Sequence, residues 1–174
     1  LRENCVVGIP RHPFSCSVAT TNLADRVSTA VQRCVAEIAP GFGMAETGPI
    51  MPPAMGVISG VDPRSGENFV NQVFLGVTGG AGTPRTDGFT TIIHCGNAGL
   101  CRQDSIEVDE LHHPLYVEER RLVADTEGAG AYRGSPSIRA EFGPIDDCTM
   151  TVIYTADGTI HPAAGAVGGG AGGL

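Results

Sequence analysis

SIRAEF, residues 137–142, alternates with a period of two: Ile138, Ala140 and Phe142 fall on one face, Ser137, Arg139 and Glu141 on the other. Successive side chains of extended backbone point to opposite faces, so this is the pattern of a half-buried strand. Downstream, Gly143-Pro144 reads as a turn and Cys148–Tyr154 as the partner strand, with Asp157-Gly158 marking another tight hairpin. Upstream, Leu115–Ala124 has strand composition, but its apolar phase flips between Val117 and Leu122. A β-bulge near Arg120-Arg121 would produce that flip. Shorter apolar runs at Asn68–Leu75 and Phe89–His94 predict two further strands.

The other periodicity is helical. Leu23, Val27, Ala30, Val31, Cys34, Val35 and Ile38 recur at helical spacing and define an apolar face expected to pack on the core. Asn22 is placed to cap this helix, and Asp25 lies in its first turn, where a carboxylate suits the dipole. Pro40-Gly41 ends it. Residues 41–67 are punctuated by Gly and Pro, including the turn-like DPRSG at 62–66; TGGAGTPRTDG occupies 78–88, and HCGNAGLC at 94–101 reads as a loop. The expectation is an α+β fold, mostly β: one long N-terminal helix, then glycine-rich turns and antiparallel strands. Residues 1–162 form its folded portion. AAGAVGGGAGGL at 163–174 carries no charge and little side chain to pack, so it is expected to be a flexible glycine-rich tail unless another chain holds it.

The 174 residues suit one domain of ordinary size. A net charge of −8 disfavours nucleic acid, whose phosphates call for a clustered basic surface. All eleven basic residues are Arg, and they are dispersed. That excludes a P-loop lysine, a Schiff-base lysine and a polybasic membrane patch. The sequence shows neither an apolar run of membrane-spanning length nor a signal-peptide pattern, so a cytoplasmic location is expected. In that compartment Cys5, Cys16, Cys34, Cys95, Cys101 and Cys148 are expected to be reduced and structural.

Three constellations could carry chemistry. The glycine-rich stretches 78–88 and 128–134 (GAGAYRG) could cradle an anion on the backbone N–H groups of Gly79, Gly80 and Gly82, with charge added by Arg85 or Arg133. Neither stretch matches a P-loop, and glycine-rich strand connections are the commoner explanation of such runs. His94, Cys95 and Cys101 have zinc-ligand chemistry, but the cysteines are too far apart for a structural pair and a fourth ligand is lacking, so no metal is expected. His112-His113 among Asp104, Glu107, Asp109, Glu110, Glu118 and Glu119 reads as a solvated acidic edge. Acid–base work would fall to Asp87, His94 or Asp104, and no serine sits in a G-x-S-x-G elbow. The catalytic candidates are Asp87, His94 and Arg85.

The order of segments says more than any one of them. SVATTNLADRV (17–27), TGGAGTPRTDG (78–88), HCGNAGLCRQDSIEVDELHHPLYVEERRL (94–122) and GAGAYRGSPSIRAEFGP (128–144) together resemble the later part of the hydantoinase B family. The resemblance covers roughly residues 1–162 and is most specific in PLYVEER followed by GAGAYRG. It implies membership of an ATP-dependent complex that hydrolyses a cyclic amide of hydantoin, 5-oxoproline or lactam type. In such a complex a hydantoinase A-type partner binds ATP with Mg and phosphorylates the substrate. Ketone carboxylation of the acetone or acetophenone kind, or a non-catalytic assembly role, are the alternatives. Family members are several times longer and this chain starts at Leu1, so a fragment, a cleaved piece or a split-gene product is expected. The divalent-metal ligands implied by the resemblance have no matching positions here and are assigned to the remaining B-type polypeptide. The chain alone is expected to be inactive.

Overall fold

The computed structural model describes residues 20–48, 52–77, 79–90, 102–154, 158 and 160–173. Helix α1 spans Thr20–Ile38, and a 3-10 turn at Pro53–Met55 leads into β1 (Val57–Val61) and β2 (Asn68–Gln72). Next come α2 (Ile106–His112), β3 (Leu115–Val123), β4 (Ser137–Pro144) and β5 (Met150–Ile153). The strands form two antiparallel sheets, one ordered β2-β1-β5 and the other β3-β4. This is the strand-rich α+β architecture the sequence predicts.

The β1–β2 hairpin forms where DPRSG predicts a turn. Asp62 Oδ1 accepts from the Arg64 N–H at 2.9 Å, and the Gly66 N–H donates to the Asp62 carbonyl at 2.7 Å. Gly66 sits at φ 76°, a conformation that glycine enters without steric cost. The apolar face of SIRAEF turns inward as its alternation predicts, while on the other face Arg139 is exposed and Ser137 and Glu141 are half-buried. Ala140 and Phe142 pack against a core of Ile58, Val73, Leu75 and Leu115, and Met150 and Val152 approach it from the other sheet. The core therefore ties the two sheets together.

Four expectations change. β4 pairs with β3, from Leu115↔Pro144 to Val123↔Ser137, and not with residues 148–154. Gly143-Pro144 continues the strand; the reversal follows it, with Asp147 at φ 63° and the Cys148 N–H donating to the Ile145 carbonyl at 3.2 Å. β5 is thereby delivered to β1, pairing Gly60↔Met150 through Val57↔Ile153. An eight-residue strand finds more partners on nine-residue β3 than on four-residue β5. The bulge is also displaced. The register shift lies between Val117 and Glu119, ahead of Arg120-Arg121, which leaves the exposed Glu118 as the extra residue.

The third change concerns α1. Asn22 falls inside the helix, and Asp25, 1% exposed, lies beyond the first turn. The face expected to be the core face looks outward, with Val31 56% and Ile38 80% exposed, while Asp25, Thr29 and Ala36 are buried. The segment packed on α1, residues 43–48, is irregular backbone, and its carbonyls need donors. Arg26 supplies them, donating to Gly48 O at 2.9 Å while pairing with Asp25 at 2.8 Å. Thr29 and Thr47 meet hydroxyl to hydroxyl at 3.3 Å. Finally, helix α2 forms within the stretch expected to be a solvated acidic edge, and it buries Asp109. Of the Phe89–His94 strand, Phe89 and Thr90 are not in a strand and the rest lies outside the described residues, as does most of the Asp157-Gly158 hairpin.

Candidate functional site

The two glycine-rich stretches, separated by 39 residues in sequence, lie side by side. The Ser135 N–H donates to Gly80 O at 2.9 Å and the Gly88 N–H to Arg133 O at 2.8 Å. Missing side chains make that approach possible. A Cβ on Gly82 would stand 2.5 Å from the Tyr132 carbonyl, and one on Gly88 would collide with the Gly80 carbonyl. Real Cβ atoms do not tolerate such distances, so these glycines serve close backbone packing.

Residues 163–173 add a third strip. Glu46 N–H donates to Ala164 O at 3.0 Å, and the Ala164 N–H returns to Glu46 Oε2 at 2.9 Å. Val167 N–H donates to Glu37 Oε1 at 3.1 Å, and Gly170 N–H to Ala129 O at 2.7 Å. Together with the end of α1 these strips line a half-open cavity of about 540 Å³. Apolar contributions come from Phe42, Met44 and Ala45; among the described residues Glu37 and Glu46 are its charged lining. Glu46 Oε1 is held by Arg33 at 3.0 Å.

Gly79, Gly80 and Gly82 all line this cavity. The Gly80 N–H is engaged, donating to Phe89 O at 2.9 Å, and none of the three is among the positive-φ glycines. Arg85 and Asp87 stand beside the lining. Arg85 lies exposed in a Thr83–Thr86 turn closed by the Thr83 hydroxyl, and Asp87 Oδ1 accepts from the Arg133 N–H at 2.7 Å. Asp87 thus bridges the two glycine-rich stretches. His94, with Cys95 and Cys101, lies outside the described residues. Among the described residues no three His, Cys, Asp or Glu side chains group as metal ligands. Cys34 is free and exposed, and Cys148 is free and partly buried.

A second polar cluster surrounds α2, where a solvated acidic edge was read. Asp109 is 5% exposed and its Oδ2 has no hydrogen-bond partner. Burial, reinforced by the negative charge of Asp104, pushes its carboxyl up to about 6, against the pull of Arg120 and His112. Asp104 Oδ2 accepts from the Phe74 N–H at 2.8 Å, and Arg120 donates to the Asp104 carbonyl at 2.7 Å. His113 is held below its usual range by burial, then by the charges of His112 and Arg64; its Nε2 lies 2.8 Å from Asn71 Nδ2. The signal available in the sequence was the spacing of Ile106 and Asp109, i to i+3 on a short helix, but the run of acids around it concealed the inward face.

Comparison with known proteins places these features in context. The hydantoinase B/oxoprolinase family matches residues 1–174. Caprolactamase subunit beta of Pseudomonas jessenii is 32% identical over 155 residues, covering 86% of this chain and 25% of that protein. The chain spans about a quarter of the length of this curated relative.

Proposed function

Because the chain belongs to the hydantoinase B/oxoprolinase family, we propose that it is the later portion of a B-type subunit in an ATP-dependent complex that hydrolyses a cyclic amide. The observation that carries this reading is the 32% identity with a caprolactamase beta subunit, which favours amide hydrolysis over ketone carboxylation. A hydantoinase A-type partner would bind ATP with Mg and phosphorylate the ring carbonyl oxygen. A chain with no lysine suits that division, since it leaves nucleotide binding to the partner. Arg85 would add positive charge beside the glycine-rich cavity, and Asp87 and His94 would move protons at the opening amide. A divalent metal would be held by the remaining B-type polypeptide; the donor set among the described residues does not fit one. No helix among the described residues is long and apolar enough to cross a membrane, and the complex would work in the cytoplasm.

Reconstitution tests this. The chain, an A-type subunit and the remaining B-type polypeptide are combined, and ATP-dependent turnover is followed on hydantoins, 5-oxoproline, lactams and ketones. Ring opening coupled to phosphate release, absent when any component is omitted, is the expected result. Full activity of the isolated chain would sink the proposal, and bicarbonate-dependent consumption of a ketone would select the carboxylase alternative. A second reading, a non-catalytic assembly module, draws support from the Asp87–Arg133 bridge. Arg85→Gln, Asp87→Asn and His94→Gln decide between them. Loss of kcat by about 100-fold or more with assembly intact argues for catalysis; loss of assembly alone argues for the module.

A further inference from the structure

We propose that the outward face of α1 is a docking seam for an amphipathic helix of the remaining B-type polypeptide. The inference rests on the B-type-subunit reading above and locates one of its contacts. Its first support is spacing. Ala24, Val27, Val31, Cys34 and Ile38 follow one another at alternating intervals of three and four residues. That is the a/d rhythm with which one helix lies along another at a shallow crossing angle. All five are exposed, Val31 to 56% and Ile38 to 80%. The inward face of α1 is a different one, carrying Asp25, Thr29 and Ala36.

The second support is charge. The seam itself carries none, and of the positions flanking it Ser28, Ala30 and Val35 are uncharged. Glu37, the fourth, accepts from the Val167 N–H at 3.1 Å, and Arg26 and Arg33 are engaged in ion pairs with Asp25 and Glu46. A helix that faces water carries polar and charged residues on its outer side, so an apolar strip there marks an interaction surface.

The occupant follows from length and charge together. The match to the caprolactamase beta subunit takes in 25% of that protein, so three quarters of such a polypeptide lies outside it. The seam runs about 21 Å, roughly two heptads, short of the roughly three or four that sustain a free-standing coiled coil. So short a contact holds where other contacts already bring the helices together, as within one subunit. A second copy is disfavoured by the net charge of −8 that each chain carries. A lipid surface is disfavoured by the same sign, since interfacial helices flank their apolar face with basic residues.

The test needs neither ATP nor substrate. The chain is mixed with the remaining B-type polypeptide, and alkylation of Cys34 by a maleimide is followed by peptide mass spectrometry. Cys34 is free and exposed in the chain alone. Expected is labelling slowed by roughly tenfold or more in the complex, because access governs thiol reactivity. Val31→Glu buries an unpaired charge in the seam and should weaken association by about 100-fold or more, with the thermal midpoint of the isolated chain retained. Val31→Ile, which keeps the seam apolar, should associate as the parent does. Association that leaves Cys34 at its free rate, or that Val31→Glu does not weaken, overturns the seam while leaving the B-type reading intact. A complete lack of association removes both. Cys34 protected in dimers of the chain alone, or on phosphatidylcholine–phosphatidylserine vesicles, overturns the proposal in favour of a second copy or a lipid surface.

Discussion

At the scale of single residues, Asp109 has the most unusual environment. Burial pushes its folded carboxyl up to about 6 from an ordinary value of 3.8, so the folded state holds the proton more tightly than the unfolded chain. The sign follows from linkage. Below about pH 4 both states are protonated and nothing is lost; as pH rises through 6 the buried group must ionise beside Asp104, and stability falls. Asp109→Asn should therefore stabilise the chain by about 1–2 kcal/mol at pH 8 and by little at pH 4. Urea midpoints at the two pH values measure this, and a parallel shift at both would refute the assignment. Glycines divide by the same attention to surroundings. Gly88→Ala drives a methyl into the Gly80 carbonyl and within 2.8 Å of Ser135 N, and should cost about 2–3 kcal/mol. Gly41 at φ 87° has nothing within 4 Å of such a methyl, so Gly41→Ala should cost only the left-handed backbone term, about 1 kcal/mol. Equal losses by thermal melting would mean the close approach at Gly88 is not sustained.

At the scale of elements, period and composition located strands well and partners poorly. The alternation in SIRAEF reports which face of β4 is buried, because burial is local to each residue. It carries no information on which strand lies alongside, and pairing was decided by the eight matched positions β3 offers. The apolar stripe of α1 misled for a related reason. Spacing reveals that a helix is amphipathic, whereas which face turns inward depends on what the helix meets. Here it meets backbone that needs donors, so Arg26 turns to it with Asp25 as its ion-pair partner, Thr29 meets the Thr47 hydroxyl, and Val27 and Val31 face out. Substitutions should show the reversal. Val31→Ser should leave stability within about 0.5 kcal/mol, as at other exposed sites. Ala36→Leu, at a position 7% exposed against which Gly43 packs, should cost about 2 kcal/mol or more through overpacking. The opposite ranking in a denaturation series would restore the apolar stripe as the core face.

At the scale of the whole molecule, the candidate site is made of segments that sequence separates widely. The glycine-rich runs at 78–88 and 128–134 were legible as special backbone, and Gly79, Gly80 and Gly82 do line the cavity. What the sequence could not show is that each run fits the other, since the reason is the absence of side chains on both. The tail is the sharpest instance. AAGAVGGGAGGL has nothing to bury by hydrophobic area, yet main-chain groups can hold it. Ala164, Val167, Gly170 and Gly173 donate N–H bonds to Glu46, Glu37, Ala129 O and Thr126 O. Each such bond contributes about 0.5–1.5 kcal/mol net, while fixing each residue costs about 1–2 kcal/mol of backbone entropy. The balance is close, which makes the outcome measurable. Native-state hydrogen exchange should find the Ala164 and Gly170 amides protected by roughly tenfold or more over an unstructured glycine segment, and less than the β3–β4 ladder. Removing one of the two carboxylate anchors with Glu46→Gln should lower protection across 163–173 while leaving β3–β4 unchanged. Exchange at the unstructured rate in the parent chain would mean that the tail is free, and the cavity would then lose its third wall.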